Sequence, residues 1–214
     1  MIFYEIELLS VPEIIFACSV HFEKYKNQFV NKKDFLEISL CEQGRILLKH
    51  FNGEEDIVCP GMLIPIASDI SCDTYSYKNE EQRHTTVGAC IKYNLKKYSC
   101  ENECDVFQLK ERMKNKRIIL LPYCSYMGDK YDEIFNILKK IIALSFSETP
   151  SDYIKAIAQW YLLTGVLTDF VYNKLNNVQS KIPPSEFVYA AKAAKYISNN
   201  YTDKLTVKEI SRCV

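Results

Sequence analysis

Bond-making chemistry in this chain would have to come from a small set of side chains, and their spacing offers little for it. Cys100 and Cys104 stand four apart, as half of a metal site or a redox pair would. Glu101, Glu103 and Asp105 crowd them, however, and neighbouring carboxylates raise a thiol's pKa and blunt its reactivity. No second Cys/His pair follows at zinc-finger spacing, so the stretch reads as an exposed acidic loop. His21, His50 and His84 are scattered along the chain. No Ser/His/Asp or Cys/His set emerges from spacing, no glycine loop suits a phosphate, and no residue is assigned a catalytic or metal-binding role. No cofactor is called for. What does recur is small, weakly polar side chains two apart in strand-like runs. Glu37, Ser39 and Cys41 share one face, and Thr86, Gly88 and Cys90 another. Such positions either line a binding cavity or fill a core, where a free Cys packs as a small hydrophobe.

The elements that would hold these faces change character along the chain. From Ile2 to about Tyr93 short β-type runs alternate with turn residues: Ile2–Leu9, Ile14–Phe22, Phe35–Cys41, Arg45–Phe51, Asp56–Cys59, Met62–Ile66, Asp73–Tyr77 and Thr85–Tyr93. Regular short strands of this kind predict an antiparallel β-barrel or sandwich, and fit closure into a small barrel better than an open sheet. Asn52-Gly53 suits a two-residue type I′ hairpin, and Pro60-Gly61 a type II turn. After about residue 125 apolar residues recur at three and four. Tyr131, Ile134, Phe135, Leu138, Ile141 and Ile142 predict an amphipathic helix over Asp129–Ser145, capped by Asp129. Thr149 as cap and Pro150 at the first helical position open a longer helix running to about Leu175. That helix is apolar on two faces. Ile154, Ile157, Tyr161 and Leu162 lie one way, and Tyr153, Trp160, Leu163, Leu167 and Phe170 another. A helix of this kind needs a partner helix, in its own chain or in a second copy. The polar stretch 176–185 contains Pro183-Pro184 and reads as a linker.

Bulk properties set the outer bounds. A chain of 214 residues with 48% hydrophobic residues builds one substantial core. With 27 basic and 27 acidic residues there is no global field to hold a polyanion. The amino terminus lacks a basic leader, and the most apolar helical stretch, residues 160–171, is interrupted by Thr164, Thr168 and Asp169. The nine cysteines lack the close regular spacing of a secreted framework and read as reduced thiols. Together these predict a cytoplasmic protein without a membrane partner.

The last residues carry a family pattern. Tyr196, Ile197, Asn200 and Tyr201 end one helix, and Leu205, Thr206, Glu209 and Ile210 open another, with Thr206 and Glu209 placed for a capping box. This resembles the entry to the first helix-turn-helix of AraC/XylS-type transcription regulators, with Ser211 where that family usually has Ala. The stretches Phe35 to Gly44 and Asn52 to Pro65 look like the cupin-type sensor domain of the same regulators. Residues 117–122, before a helix pair, stand where such proteins pass from barrel to dimerisation helices. Metal-binding cupins carry an H-x-H and Glu set that is missing here: only His50 follows Gly44, and Ile70 stands where a further His is usual.

The resemblance implies an α+β fold. A cupin-like barrel sensor spans 1–125, an antiparallel pair of dimerisation helices 126–175, a linker 176–185, and the helical start of a DNA-binding domain 186–214, with the recognition helix lying outside. It implies the ligand-sensing and dimerisation portion of a DNA-binding regulator, not an enzyme. Its partners would be a small-molecule effector, a second copy of the chain, and operator DNA for a longer chain only. By alignment with such sensors the pocket positions fall near Cys41, Cys72, Gly88 and Cys90; strand alternation adds Ser39 and Thr86, and His21 adds a polar group. The interface positions are Trp160, Leu163, Leu167 and Phe170. Two other readings stay open, a metal-dependent cupin-fold enzyme and a ligand-independent dimerisation module with a filled barrel.

Overall fold

The computed structural model describes residues 1–24, 26–29, 33–67, 72–99, 109, 111–114, 117–147, 149–179, 189, 193, 196–197 and 206–212. Among these described residues, twelve strands form three antiparallel sheets. The central one has five strands, in the order β12 (Ser125–Tyr126), β7 (Met62–Ala67), β4 (Phe35–Gln43), β9 (Gln82–Cys90) and β2 (Glu13–Phe22). Facing it are β3 (Lys26–Phe29), β8 (Cys72–Ser76), β5 (Ile46–His50) and β6 (Glu55–Val58). The third sheet sets β1 (Ile2–Leu8) between β10 (Tyr93–Ser99) and β11 (Ile118–Pro122). Among the described residues no hydrogen-bonded ring joins these sheets into a closed barrel. The class is α+β.

β4 is the keystone. It pairs with β7 on one side and β9 on the other, and Phe35 to Cys41 are buried without a break. Because side chains alternate, Leu36, Ile38 and Leu40 leave one face and Glu37, Ser39 and Cys41 the other. Both faces are therefore covered, the second by the four-stranded sheet. Four strands were not foreseen in the sequence, β3, β10, β11 and β12. The expected run Thr85–Tyr93 breaks at Ile91, whose N–H donates to Asp34 O at 2.8 Å, and the chain then crosses to pair with β1.

The turns follow their glycines. At Pro60-Gly61, Met62 N–H donates to Cys59 O at 3.0 Å, and Gly61 has φ +83°, as a type II turn requires. A Cβ at Gly61 would stand 2.5 Å from the Tyr126 ring. The Asn52-Gly53 hairpin is not type I′. Gly53 has φ +90° but Asn52 is not in the left-handed region, and His50 N–H donates to Glu54 O at 2.9 Å. The loop therefore holds three residues with glycine last, the next commonest hairpin form.

Two helices follow. α1 (Tyr131–Ser145) lies against β2 and β9, with Ile134, Ile137, Leu138 and Ile141 buried. Its start is a single 3-10 turn at Gly128–Lys130, and Asp129 falls inside that turn instead of capping the helix. α2 (Pro150–Gln179) returns against α1 and β11. Thr149 caps it, accepting from Asp152 N–H at 3.3 Å. It runs four residues beyond the expected Leu175, into the proposed linker. The rest of that linker, and nearly all of 186–205, lie outside the described residues. α3 (Val207–Arg212) opens with the foreseen capping box: Glu209 N–H donates to Thr206 Oγ1 at 3.3 Å and Thr206 N–H to Glu209 Oε2 at 2.9 Å.

The stripe assigned to an interface is the chain's own core. Trp160, Leu163 and Leu167 are fully buried and Phe170 nearly so, in one cluster with Leu120, Leu121, Ile134 and Leu138. Thr168 joins that face to β11, its Oγ1 accepting from Leu120 N–H at 3.0 Å. The opposite face, with Ile154 66%, Leu162 49% and Tyr161 41% exposed, is the one left uncovered.

Candidate ligand site

Between the two larger sheets lies a cavity of about 20 Å³, room for one water-sized group. Ile46, Leu48, Val58, Ile64 and Ile66 form its apolar walls, and Glu37, Ser39, Thr74 and His84 its polar ones. Register explains the convergence. β4 sets Glu37 opposite Gly88 and Ser39 opposite Thr86 on β9, and Thr74 arrives from β8 in the facing sheet.

The polar groups are bonded to one another. Ser39 Oγ and Thr86 Oγ1 each donate to Glu37 Oε1 at 2.8 Å, and the two hydroxyl oxygens stand 2.8 Å apart. Glu37 and Ser39 are each 5% exposed, Thr86 3% and Thr74 2%. A carboxylate so placed costs several kcal/mol in desolvation unless hydrogen bonds and charge offset it. His84 is 8% exposed, and burial pushes its imidazole down to about 4, so the ring is neutral near pH 7.

Of the residues expected at the pocket, Ser39 and Thr86 meet at Glu37. Gly88 also faces inward, but its space is taken: a Cβ there would lie 2.2 Å from the Phe16 ring, which stacks on Phe35. Cys41 is buried with its Sγ turned to Gly44 O at 3.4 Å, away from the cavity walls, and burial lifts its thiol to about 12. Cys72 sits on the inner face two residues before Thr74, with its thiol raised to about 11 by burial. Both are core thiols. Cys90 is exposed at the end of β9 and lies outside the pocket. His21 is half exposed near the end of β2, hydrogen-bonded to Glu81, and also lies outside. Thr74 and His84 were missed, and Glu37, although placed on the same strand face as Ser39, was left out of the pocket positions.

Two other clusters carry polar groups. Tyr123 OH donates to Asp56 Oδ2 at 2.8 Å, and His50 Nε2 stands 2.9 Å from that oxygen and 3.1 Å from the phenol. This joins β5 and β6 to the turn after β11. Burial, with Asp56 adding to it, raises Tyr123 far above the ordinary phenol value, so it is poorly suited to act as a phenolate. On the outer face of the three-stranded sheet a cleft of about 480 Å³ contains Glu5 and Arg112. There Arg112 Nη2 donates to Glu5 Oε2 at 2.8 Å and to Tyr98 OH at 2.6 Å. Among the described residues no three His, Cys, Asp or Glu side chains converge as metal ligands.

No known family model matches the chain, and no curated protein does. Solved structures share parts of its shape at low identity. A protein assigned to ethanolamine utilization from Salmonella typhimurium is 18% identical with a TM-score of 0.29, over 35% of this chain and 56% of its own, so the chain spans about half of it. The cupin domain of an XRE family transcriptional regulator from Enterobacter cloacae is 14% identical with a TM-score of 0.29, over 39% of this chain and 96% of its own. ToxT from Vibrio cholerae is 10% identical with a TM-score of 0.40, over 94% of this chain and 88% of its own.

Proposed function

We propose that the chain is the effector-sensing and dimerising portion of an AraC-like transcription regulator, acting in the cytoplasm. The observation that carries the reading is a β-sandwich with a buried polar cavity, followed by a helix whose outer face stays apolar. No helix among the described residues is long and apolar enough to cross a membrane. The capping box at Thr206 supports the same reading, since it opens α3 with the residues that begin a helix-turn-helix in that family.

The mechanism is linkage. A molecule that binds the sandwich more tightly in one dimer arrangement than in another shifts the presentation of the attached DNA-binding domains, by no more than that difference in affinity. Dimerisation is assigned to the Ile154, Tyr161 and Leu162 face of α2. A cavity of about 20 Å³ favours one competing reading, a dimerisation module whose sandwich is already filled. A thermal-shift screen of sugars, fatty acids, amines and aromatic acids separates the two. An effector present at 100 times its Kd stabilises the fold by about 2.7 kcal/mol and raises the melting temperature by several degrees. No shift from any class would favour the filled module.

A further inference from the structure

The loop between β5 and β6 holds the one Asn-Gly pair in the sequence, Asn52-Gly53. Both residues are exposed, and a Cβ placed on Gly53 would meet no described atom within 4 Å. The peptide nitrogen between them is therefore open to water and unshielded by a following side chain.

Two hydrogen bonds arrange this tip. Asn52 Oδ1 accepts from Glu54 N–H at 3.1 Å, an Asx turn. The ring that this bond closes contains the Gly53 nitrogen, so the side-chain amide carbon and that nitrogen are held close together. The Glu54 N–H also draws electron density from the side-chain carbonyl, which makes its carbon a better target for a nucleophile. Gly53 N–H in turn donates to His50 O at 2.9 Å. That bond is the brake, because it must part before the nitrogen can lose its proton. It lies at an exposed loop tip, where local opening costs least.

We propose that Asn52 is a site of self-modification in the folded protein. Hydroxide takes the proton of Gly53 N, which attacks Asn52 Cγ. The new N–Cγ bond closes a succinimide, the bond from Cγ to the side-chain nitrogen breaks, and that nitrogen leaves as ammonia with a proton from water. A second water then opens the imide. Opening at Cγ leaves an aspartyl residue, and opening at the backbone carbonyl leaves an isoaspartyl linkage. In sum one water enters and one ammonia leaves, with no redox change and no cofactor. Either product adds a carboxylate to a stretch that already carries Glu54, Glu55 and Asp56, with Lys49 already paired to Glu55 at 2.8 Å. The isoaspartyl form also lengthens the loop backbone by one carbon, inside the two bonds that close the hairpin, Gly53 N–H to His50 O and His50 N–H to Glu54 O, each at 2.9 Å. β5 and β6 carry Ile46, Leu48 and Val58 of the cavity wall and His50 and Asp56 of the bonds to Tyr123, so the modification loosens the hairpin that bears both.

The test incubates the folded 214-residue chain at pH 8 for several days, in ordinary water and in 18O-water, and follows its peptides by mass spectrometry. The peptide containing Asn52 is expected to gain one dalton in the first solvent and three in the second, faster than any other Asn peptide. It should also split into two chromatographic peaks, aspartyl and isoaspartyl. Asn52→Gln, whose longer side chain would have to close a larger ring, should lose the gain. Hydroxylamine, which cleaves succinimides, should cut the incubated folded chain between residues 52 and 53, a readout that needs no variant. In the purified isoaspartyl form the amides of Gly53 and Glu54 should exchange with deuterium at least about tenfold faster than in the unaltered chain. An Asn52 peptide that stays unchanged in the folded chain and converts only in urea would overturn the proposal, since the Gly53 to His50 bond would then lock the tip. Conversion no faster than at the other Asn residues would overturn it as well, and unchanged deuterium exchange would overturn the loosening of the hairpin.

Discussion

His84 makes the stability of this protein depend on pH with a definite sign. Its folded-state value of about 4 lies below the ordinary 6.5, so between those two pH values the unfolded chain binds the proton and the folded one does not. Stability is therefore full above about pH 6.5 and falls as the pH drops through 4. The loss is on the order of 3 kcal/mol. Urea midpoints at pH 7 and pH 4.5 should show it, and His84→Leu should flatten that part of the slope. The thiols divide in the same way by environment. Cys90 should alkylate first among the described cysteines in the native protein, while Cys41 and Cys72, with thiols near 12 and 11, should react only on unfolding. Peptide mass spectrometry after brief iodoacetamide treatment would check this order. At this scale the sequence was partly legible. Alternation put Ser39 and Thr86 on inward faces, because a strand's period of two holds whatever its neighbours are. His21 and Cys90 were assigned to the pocket and lie outside it, because strand ends project past the facing sheet, and only tertiary structure decides where a sheet stops being covered.

The two faces of α2 make opposite predictions at the level of the element. Leu163→Ala should cost about 2–5 kcal/mol, since Leu163 is fully buried against α1 and β11. Glu at Leu163 or Leu167 should unfold the chain instead of releasing monomers. Ile154→Glu with Leu162→Glu should keep the circular dichroism spectrum and melting behaviour of the folded chain while abolishing the dimer seen by sedimentation. A monomeric unaltered chain at about tens of micromolar would contradict the assignment of that face. Periodicity showed both stripes to be apolar and so could not choose between them. The discriminating residues are polar. Thr164 and Thr168 lie on the same side as Trp160 and Leu167, and Thr168 completes the hydrogen bonding of Leu120 on β11. A hydroxyl that bonds to a sheet backbone marks the docked face more surely than one more leucine.

For the whole molecule, the balanced charge sets the expectation for DNA. With 27 basic and 27 acidic residues the chain has no global field to hold a polyanion, so it should give little retardation of a duplex at physiological salt, and strong retardation in a gel-shift assay would contradict this. The order of β and α regions was legible in the sequence because the period changes from two to near 3.6 at about residue 125. The grouping of strands into three sheets was not, since pairing partners lie far apart in the chain. β1 shows what that distance entails during synthesis. Its partners are Tyr93–Ser99 and Ile118–Pro122, so residues 2–8 emerge more than a hundred positions before the second of them exists. At ~5–20 residues per second the ribosome needs roughly 5–20 s to supply β11. Phe3, Tyr4, Ile6 and Leu8 gain their first partner strand only when Tyr93–Ser99 emerges and their second only with Ile118–Pro122, so the third sheet cannot be completed until Pro122 has been made.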